Sequence, residues 1–160
     1  MKFRRRRPAK SAVKGCDIQI AARLILGYTQ SIMHNRWNDW LRQAEDDLLW
    51  AKDTLEQKRC AQACFTSQQV GKKAVKALAL NLGYDSIRSH SIREIAEALD
   101  INGDIADMAK RLDLYYISSR YPDAFPSGAP FEYFTRDQAE EAVSFAEKII
   151  FDVRKRVGES

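Results

Sequence analysis

A helical spacing of apolar residues, repeated along the chain, most restricts what this sequence can fold into. Over residues 37–55, apolar side chains follow one another at intervals of three and four, which is typical of an amphipathic helix with one buried stripe. A second helix is predicted over residues 59–82, because Gly83 then suits the left-handed position that follows many helices. Its apolar residues occupy more than one stripe, so we expect it to be packed on two sides.

Capping signals predict the remaining helices. Ser91 and Thr135 each stand three residues before a Glu or a Gln, which is the spacing of a capping box at a helix start. They predict a short helix over residues 91–99 and a final helix over residues 135–153. Between these two, Asp104 can cap a fourth long helix.

The connections and the lack of strand patterns indicate the fold class. Three prolines and a glycine predict a loop over residues 121–134, whose four aromatic side chains we expect to pin it to the helices. No segment alternates apolar and polar residues over the length of a strand. Long amphipathic helices with short connections bury their apolar faces best side by side. We therefore predict an all-α fold: an antiparallel four-helix up-and-down bundle with one additional short helix.

Composition favours a single globular domain in a reducing compartment. The chain has 160 residues, of which 45% are hydrophobic and 30% charged, and this is the composition of a folded domain. No apolar run is long enough to cross a membrane. The three cysteines are an odd number and form no CxxC pair, so we predict a cytoplasmic protein without a metal site or a cofactor.

The basic charge is concentrated in the first residues. Residues 1–32 carry eight basic side chains and one acid, a net charge of +7, whereas residues 33–160 carry 18 basic and 21 acidic side chains, a net charge of −3. The leader, residues 1–32, could be a nucleic-acid-binding arm, a targeting segment, or upstream sequence included by an early start codon. We place the helical domain at residues 33–157.

A stripe of lysines marks the second predicted helix. Gln69, Lys72, Lys73 and Lys76 lie along one polar face, and like charges at these spacings cost an isolated helix about 0.2–0.5 kcal/mol per pair. A bound anion would explain such a cluster. Water or a carboxylate of the first helix would explain it equally, and the carboxylates available there are Asp46, Asp47 and Asp53.

Two further segments carry groups suited to anions. His90 precedes the short helix, where it could orient an anion beside free backbone N–H groups, or instead pack against a carbonyl. Arg120 and Tyr121 precede Pro122 at the end of the fourth helix, where Arg could bind phosphate and Tyr could stack on a base. Alternatively, Arg120 could pair with Asp123 and merely fasten the loop. No nucleophile–base pair or glycine-rich phosphate loop is present.

Four segments together resemble the HEPN domain family of bacteria and archaea. They are Trp40-Leu41 with the Ala44, Asp47, Leu48 and Ala51 that follow, Gln68-Gln69 with Lys73 and Lys76, His90-Ser91-Ile92, and Ser119-Arg120-Tyr121-Pro122-Asp123. The resemblance spans about residues 36–156. It implies an all-α bundle like the C-terminal domain of kanamycin nucleotidyltransferase, usually dimeric, often paired with a minimal nucleotidyltransferase as toxin and antitoxin. It further implies nucleotide binding or, in many members, metal-independent ribonuclease activity.

The sequence departs from this family pattern in two ways. The ribonuclease branch carries Arg, four to six residues, then His, but the residues at those distances before His90 are Gly83, Tyr84 and Asp85. In addition, Lys72 occupies the position of an acidic residue, which makes this face more cationic.

Two functional hypotheses follow. The first is a non-catalytic homodimer that pairs with a minimal nucleotidyltransferase and binds a nucleotide or an RNA phosphate; its predicted site residues are Gln69, Lys73, Lys76, His90, Arg120, Tyr121 and Asp123. The second is a metal-independent ribonuclease toxin in which His90 and Arg120 replace the missing motif, with His as acid or base and Arg stabilising the phosphate.

Overall fold

The computed structural model describes residues 4–5 and 36–158. Seven α-helices and one 3-10 helix account for most of the second range. They are α1 Arg36–Glu56, α2 Cys60–Asn81, α3 Ile92–Ala98, α4 Asp104–Asp113, α5 Tyr115–Ser118, the 3-10 helix Pro122–Ala124, α6 Pro130–Tyr133 and α7 Arg136–Val157. Two very short strands, β1 Arg4–Arg5 and β2 Tyr84–Ser86, pair antiparallel. The rest of the predicted leader lies outside the described residues.

Cross-helix pairs define the directions of the long helices. Lys73 of α2 pairs with Asp47 of α1, and Lys76 lies over the ring of Trp40, so α1 and α2 run antiparallel. Helix α7 also runs antiparallel to α1, because Lys52 pairs with Glu147 and Glu45 with Arg154. Helices α4 and α5 supply the fourth member. The predicted all-α bundle with an additional short helix, α3, is confirmed.

Helix α2 occupies the centre of the bundle and is packed on several sides, as its multiple apolar stripes predicted. It contacts α1, α7 and each of the helices α3 to α6. Gly71 is the point of closest approach, because a Cβ atom added there would lie 2.9 Å from Ile92 Cδ1 and 3.3 Å from Leu112 Cδ1. The absence of a side chain lets the start of α3 and the end of α4 pack against α2.

The helix boundaries differ from the sequence predictions at three points. The predicted fourth helix is divided at Leu114 into α4 and α5. Gly103, with φ of +71°, stands at the N-cap of α4, so Asp104 begins the helix and does not cap it. Ser91 caps α3 through Glu94 N–H, but the Glu94 carboxylate accepts from the Ser89 hydroxyl and does not close a capping box.

The predicted loop over residues 121–134 contains two short helices, each beginning at a proline. Proline suits the first position of a helix because its φ is already helical and its missing N–H is not needed there. Phe125 stacks on Tyr133 with ring centroids 4.2 Å apart, and Phe134 packs edge-on against Tyr115. These rings hold the loop to the bundle as predicted, whereas Phe131 is 70% exposed and does not.

Candidate functional site

A cleft of about 440 Å³ lies between the start of α1, the second half of α2 and the segment that leads into α3. Most of its lining side chains are cationic or aromatic. They are Trp40, Lys72, Lys73, Lys76, Ile87, Arg88, Ser89 and His90. We call this the cationic cleft. None of these described lining residues is a carboxylate, so the charge they contribute favours anions.

Two of the three lysines of the cationic cleft already have partners within the bundle. Lys73 forms an ion pair with Asp47, which is buried and also accepts from Gln43 Nε2 at 2.9 Å. The Lys76 ammonium group lies 3.7 Å from the centroid of the Trp40 ring, a cation–π contact. Among the described carboxylates of α1, Asp47 therefore forms an ion pair with one lysine of the stripe, Lys73.

Lys72 is different, because it forms no ion pair with any described carboxylate. Its ammonium group donates to Gln69 Oε1 at 2.5 Å, and Gln69 Nε2 donates in turn to Gln68 Oε1 at 2.6 Å. Burial lowers the pKa of Lys72, and the neighbouring charges of Lys73, Lys76 and Arg120 lower it further. The protein thus holds a cation here against electrostatic cost.

The Tyr116 ring links the cationic cleft to Arg120. His90 stacks on this ring with centroids 5.3 Å apart and an interplanar angle of 16°. The Arg120 guanidinium carbon lies 4.6 Å from the same ring centroid, and Lys72 Nζ lies 5.9 Å from it. Three of the cationic or titratable groups are therefore gathered around one aromatic side chain.

Arg120 is positioned by rings and by its own helix, not by an acid. Its Nε donates to the Tyr116 carbonyl at 2.9 Å, and its guanidinium carbon lies 4.5 Å from the Phe65 ring centroid and 4.9 Å from that of Tyr121. Within the described ranges it forms no ion pair, so Asp123 does not fasten the loop through it. The terminal Nη groups remain available for a bidentate contact with a phosphate or carboxylate.

The start of α3 does not offer the free N–H groups that the sequence suggested beside His90. The Asp113 carboxylate accepts from Ile92 N–H at 2.8 Å, from Arg93 N–H at 3.0 Å and from the Ser91 hydroxyl at 2.6 Å. The His90 carbonyl accepts from Gln68 Nε2 at 3.0 Å. An anion at this helix start would have to displace Asp113.

The predicted site residues thus fall into two groups. Lys73, Lys76 and His90 line the cationic cleft, Gln69 supports it through Lys72, and Arg120 and Tyr121 lie beyond Tyr116. Asp123 is exposed on the 3-10 helix and contacts none of them in the described structure. Lys72 and Tyr116 complete the arrangement but were not in the predicted set. Tyr116 stands one helical turn before Arg120, and this spacing could have indicated it.

Residues 4–5 and 36–158 contain neither a cluster of metal-ligating side chains nor a helix that could span a membrane. No group of three or more His, Cys, Asp or Glu side chains is placed to hold a metal ion there. None of the helices in those ranges is both long enough and apolar enough to span a bilayer.

Comparison with known proteins agrees with this architecture. The HEPN domain profile matches residues 37–156. The chain belongs to the HEPN domain family. This HEPN domain is 40% identical to TT1696 from Thermus thermophilus, with a TM-score of 0.72 over 76% of this chain and 98% of that one. It is 36% identical to ST0689, an archaeal HEPN homologue, with a TM-score of 0.64 over 76% and 97% of the two chains.

A third relative carries a functional name. The protein "Putative toxin MJ1304" of Methanocaldococcus jannaschii is 27% identical to this HEPN domain over 124 residues, which are 69% of this chain and 81% of that protein.

Proposed function

We propose that this HEPN domain is a toxin-type module that binds a nucleotide or an RNA phosphate at the cationic cleft. The observation that carries the proposal is the pair of Lys72 and Arg120, two cations that form no ion pair in the described structure and that lie 5.9 Å and 4.6 Å from the Tyr116 ring centroid. Keeping such charges close together is unfavourable. A phosphate group would offset the repulsion and accept charge-assisted hydrogen bonds from both side chains.

In this proposal, Arg120, Lys72 and Tyr121 each contribute differently to binding. Arg120 presents a planar fork that its aromatic neighbours hold in place, so little conformational entropy is lost when it binds a phosphate. Lys72 supplies a second positive charge from the cleft side. Tyr121 is 47% exposed beside Arg120, where its ring can stack on a base.

A homodimer and a minimal nucleotidyltransferase partner belong to the same proposal. Leu114 and Ile117 are 71% and 51% exposed and form a short apolar stripe, three residues apart on helical backbone. An exposed apolar stripe of this kind is typical of a contact surface, and a second copy of the chain is the occupant that we propose. The toxin assignment and the nucleotidyltransferase partner rest on kinship with the family and on the name of the Methanocaldococcus jannaschii relative.

Nucleotide-dependent thermal stabilisation tests the proposal. A nucleotide at one hundred times its dissociation constant adds about 2.7 kcal/mol to the unfolding free energy. We expect Arg120→Ala to abolish the rise in melting temperature, and Arg120→Lys to retain only part of it because the fork is lost. Arg42→Ala, at an exposed position on α1, is the matched control. If no nucleotide and no short RNA raises the melting temperature at millimolar concentration, the binding proposal is wrong.

One observation favours a second candidate, a metal-independent ribonuclease. His90 and Arg120 pack on the same Tyr116 ring, with distances of 5.3 Å and 4.6 Å to its centroid, so an acid–base group and a phosphate-stabilising group are near each other. RNA cleavage in the presence of a chelator, abolished by His90→Ala and by Arg120→Ala, would support this function. Inactivity of the partner-free protein towards a panel of RNAs would exclude it.

A further inference from the structure

Lys72 has the environment of a reactive amine. The other two lysines of the cationic cleft are occupied, Lys73 by the buried Asp47 carboxylate and Lys76 by the Trp40 ring. Lys72 forms no ion pair with a described carboxylate: its ammonium group donates to the neutral Gln69 Oε1 at 2.5 Å and lies 5.9 Å from the Tyr116 ring centroid. Its side chain is half-buried yet borders the cleft, so a small molecule in the cleft can reach its nitrogen.

The same surroundings favour the neutral form of this amine. Burial lowers the pKa of Lys72, and the charges of Lys73, Lys76 and Arg120 lower it further. A larger fraction of Lys72 is therefore unprotonated at neutral pH than of an exposed lysine, and only the unprotonated amine is a nucleophile. The pKa of Lys76 is lowered as well, by burial and by Arg36, but its nitrogen lies against an aromatic ring.

The cationic side chains of the cleft are suited to bind the phosphate leaving group of an acyl phosphate, which is one class of acylating agent. Arg88 and Lys76 line it beside Lys72, and both can attract a phosphoryl group. An acyl phosphate carries such a group next to its reactive carbonyl carbon, joined to it through one bridging oxygen. Binding the phosphoryl end in the cleft would therefore place the carbonyl carbon near the Lys72 nitrogen.

We propose that Lys72 is a covalent modification site, acylated by small acyl phosphates that bind in the cationic cleft. The lone pair of Lys72 Nζ attacks the carbonyl carbon and forms the C–N bond. The bond between that carbon and the bridging oxygen then breaks, and its electron pair leaves with inorganic phosphate. The proton lost by the amine passes to solvent, and no oxidant, reductant or further reactant is needed.

Acylation would change the property on which the proposed function depends. The amide is neutral, so the cleft loses the charge of Lys72, whose ammonium group donates to a neutral amide oxygen and forms no described ion pair. This consequence rests on the proposed binding of a nucleotide or RNA phosphate, whereas the modification itself depends only on the amine and its cleft. Modification would weaken the electrostatic attraction of the cleft for phosphate.

Incubation of the full chain with acetyl phosphate tests the site. Peptide mass spectrometry should find acetylation at Lys72 severalfold faster than at Lys148, an exposed lysine of α7 outside the cleft. Arg88→Ala should reduce the Lys72 rate with acetyl phosphate but not with an uncharged acetyl ester of N-hydroxysuccinimide. Lys72→Arg keeps the charge and should lose the fast site while folding normally.

Two results would overturn the proposal. The first is acetylation at Lys72 no faster than at Lys148. The second is an equal preference for Lys72 with the uncharged ester, which would remove the role of the phosphoryl group. Nucleotide-dependent melting is measured separately on unmodified protein, so a failure of the binding function and a failure of the modification site give different results.

Discussion

Lys72 and Lys73 are adjacent in sequence, yet the structure predicts opposite effects when each is replaced by glutamine. Lys73→Gln leaves the buried Asp47 carboxylate without its cation and with Gln43 Nε2 as its described donor, and the loss of a partner by a buried charged group costs about 1–3 kcal/mol. Lys72→Gln removes a repelled and partly desolvated charge. Relief of its like-charge pair with Lys76 on α2 contributes about 0.2–0.5 kcal/mol of stability.

Thermal and urea unfolding of the two variants measure this difference. For a chain of this size, 1 kcal/mol corresponds to about 2–4 °C in melting temperature, so Lys73→Gln should melt several degrees lower and Lys72→Gln the same or slightly higher. Nucleotide-dependent stabilisation should nevertheless be reduced in Lys72→Gln. A stable protein with an impaired site would distinguish a functional lysine from a structural one.

The dependence on pH gives an independent check. Because the pKa of Lys72 is lowered in the folded state, the unfolded chain binds more protons, and wild-type stability gains from Lys72 deprotonation as the pH rises towards the ordinary lysine value of 10.5. The advantage of Lys72→Gln over the wild type should therefore shrink between neutral pH and that value. Equal destabilisation by both substitutions, or an advantage that grows with pH, would refute the assignment of Lys72 as an uncompensated cation.

Two further predictions concern groups that hold the bundle together. Asp113→Ala removes the carboxylate of α4 that accepts from two N–H groups and one hydroxyl at the start of α3. It should lower the free energy of unfolding in urea by about 2 kcal/mol or more. The control Asp107→Ala, at an exposed position on α4, should change it little. In a Cys16→Ser, Cys60→Ser background, Cys64 should resist iodoacetamide at pH 9 until the protein unfolds. Burial raises its pKa to about 12, which leaves about one thousandth of the thiol ionised at that pH; rapid alkylation of the folded protein would contradict this.

Local patterns were sufficient for the helices but not for every boundary. The apolar spacing predicted α1, α2 and α7 closely, because helix formation along a long amphipathic segment depends on residues three and four apart. The division of the fourth helix at Leu114 was not predicted. No proline or glycine stands at the break, and Leu114 itself keeps a helical backbone, with φ of −60° and ψ of −26°. The sequence therefore carried no signal for a boundary there.

The structure brings together only part of the predicted set of site residues, and the anion-binding role of that set stays a prediction. Gln69, Lys73, Lys76 and His90 belong to or support the cationic cleft, and Arg120 and Tyr121 lie beside it. Asp123 does not join them. Which lysine lacks a partner depends on the carboxylate that α1 presents to α2, and a sequence pattern does not give that pairing.

The order of residues by itself determined an all-α bundle, its family and the presence of a lysine stripe, since each depends on spacings of a few residues within one segment. Only the tertiary structure decided that Asp47 neutralises Lys73, that Asp113 occupies the start of α3, and that Tyr116 gathers His90 and Arg120. Except for Tyr116 and Arg120, which are one helical turn apart, these contacts join residues that are distant in the chain. Their energies depend on burial and on distances between helices, which exist only after the bundle has packed.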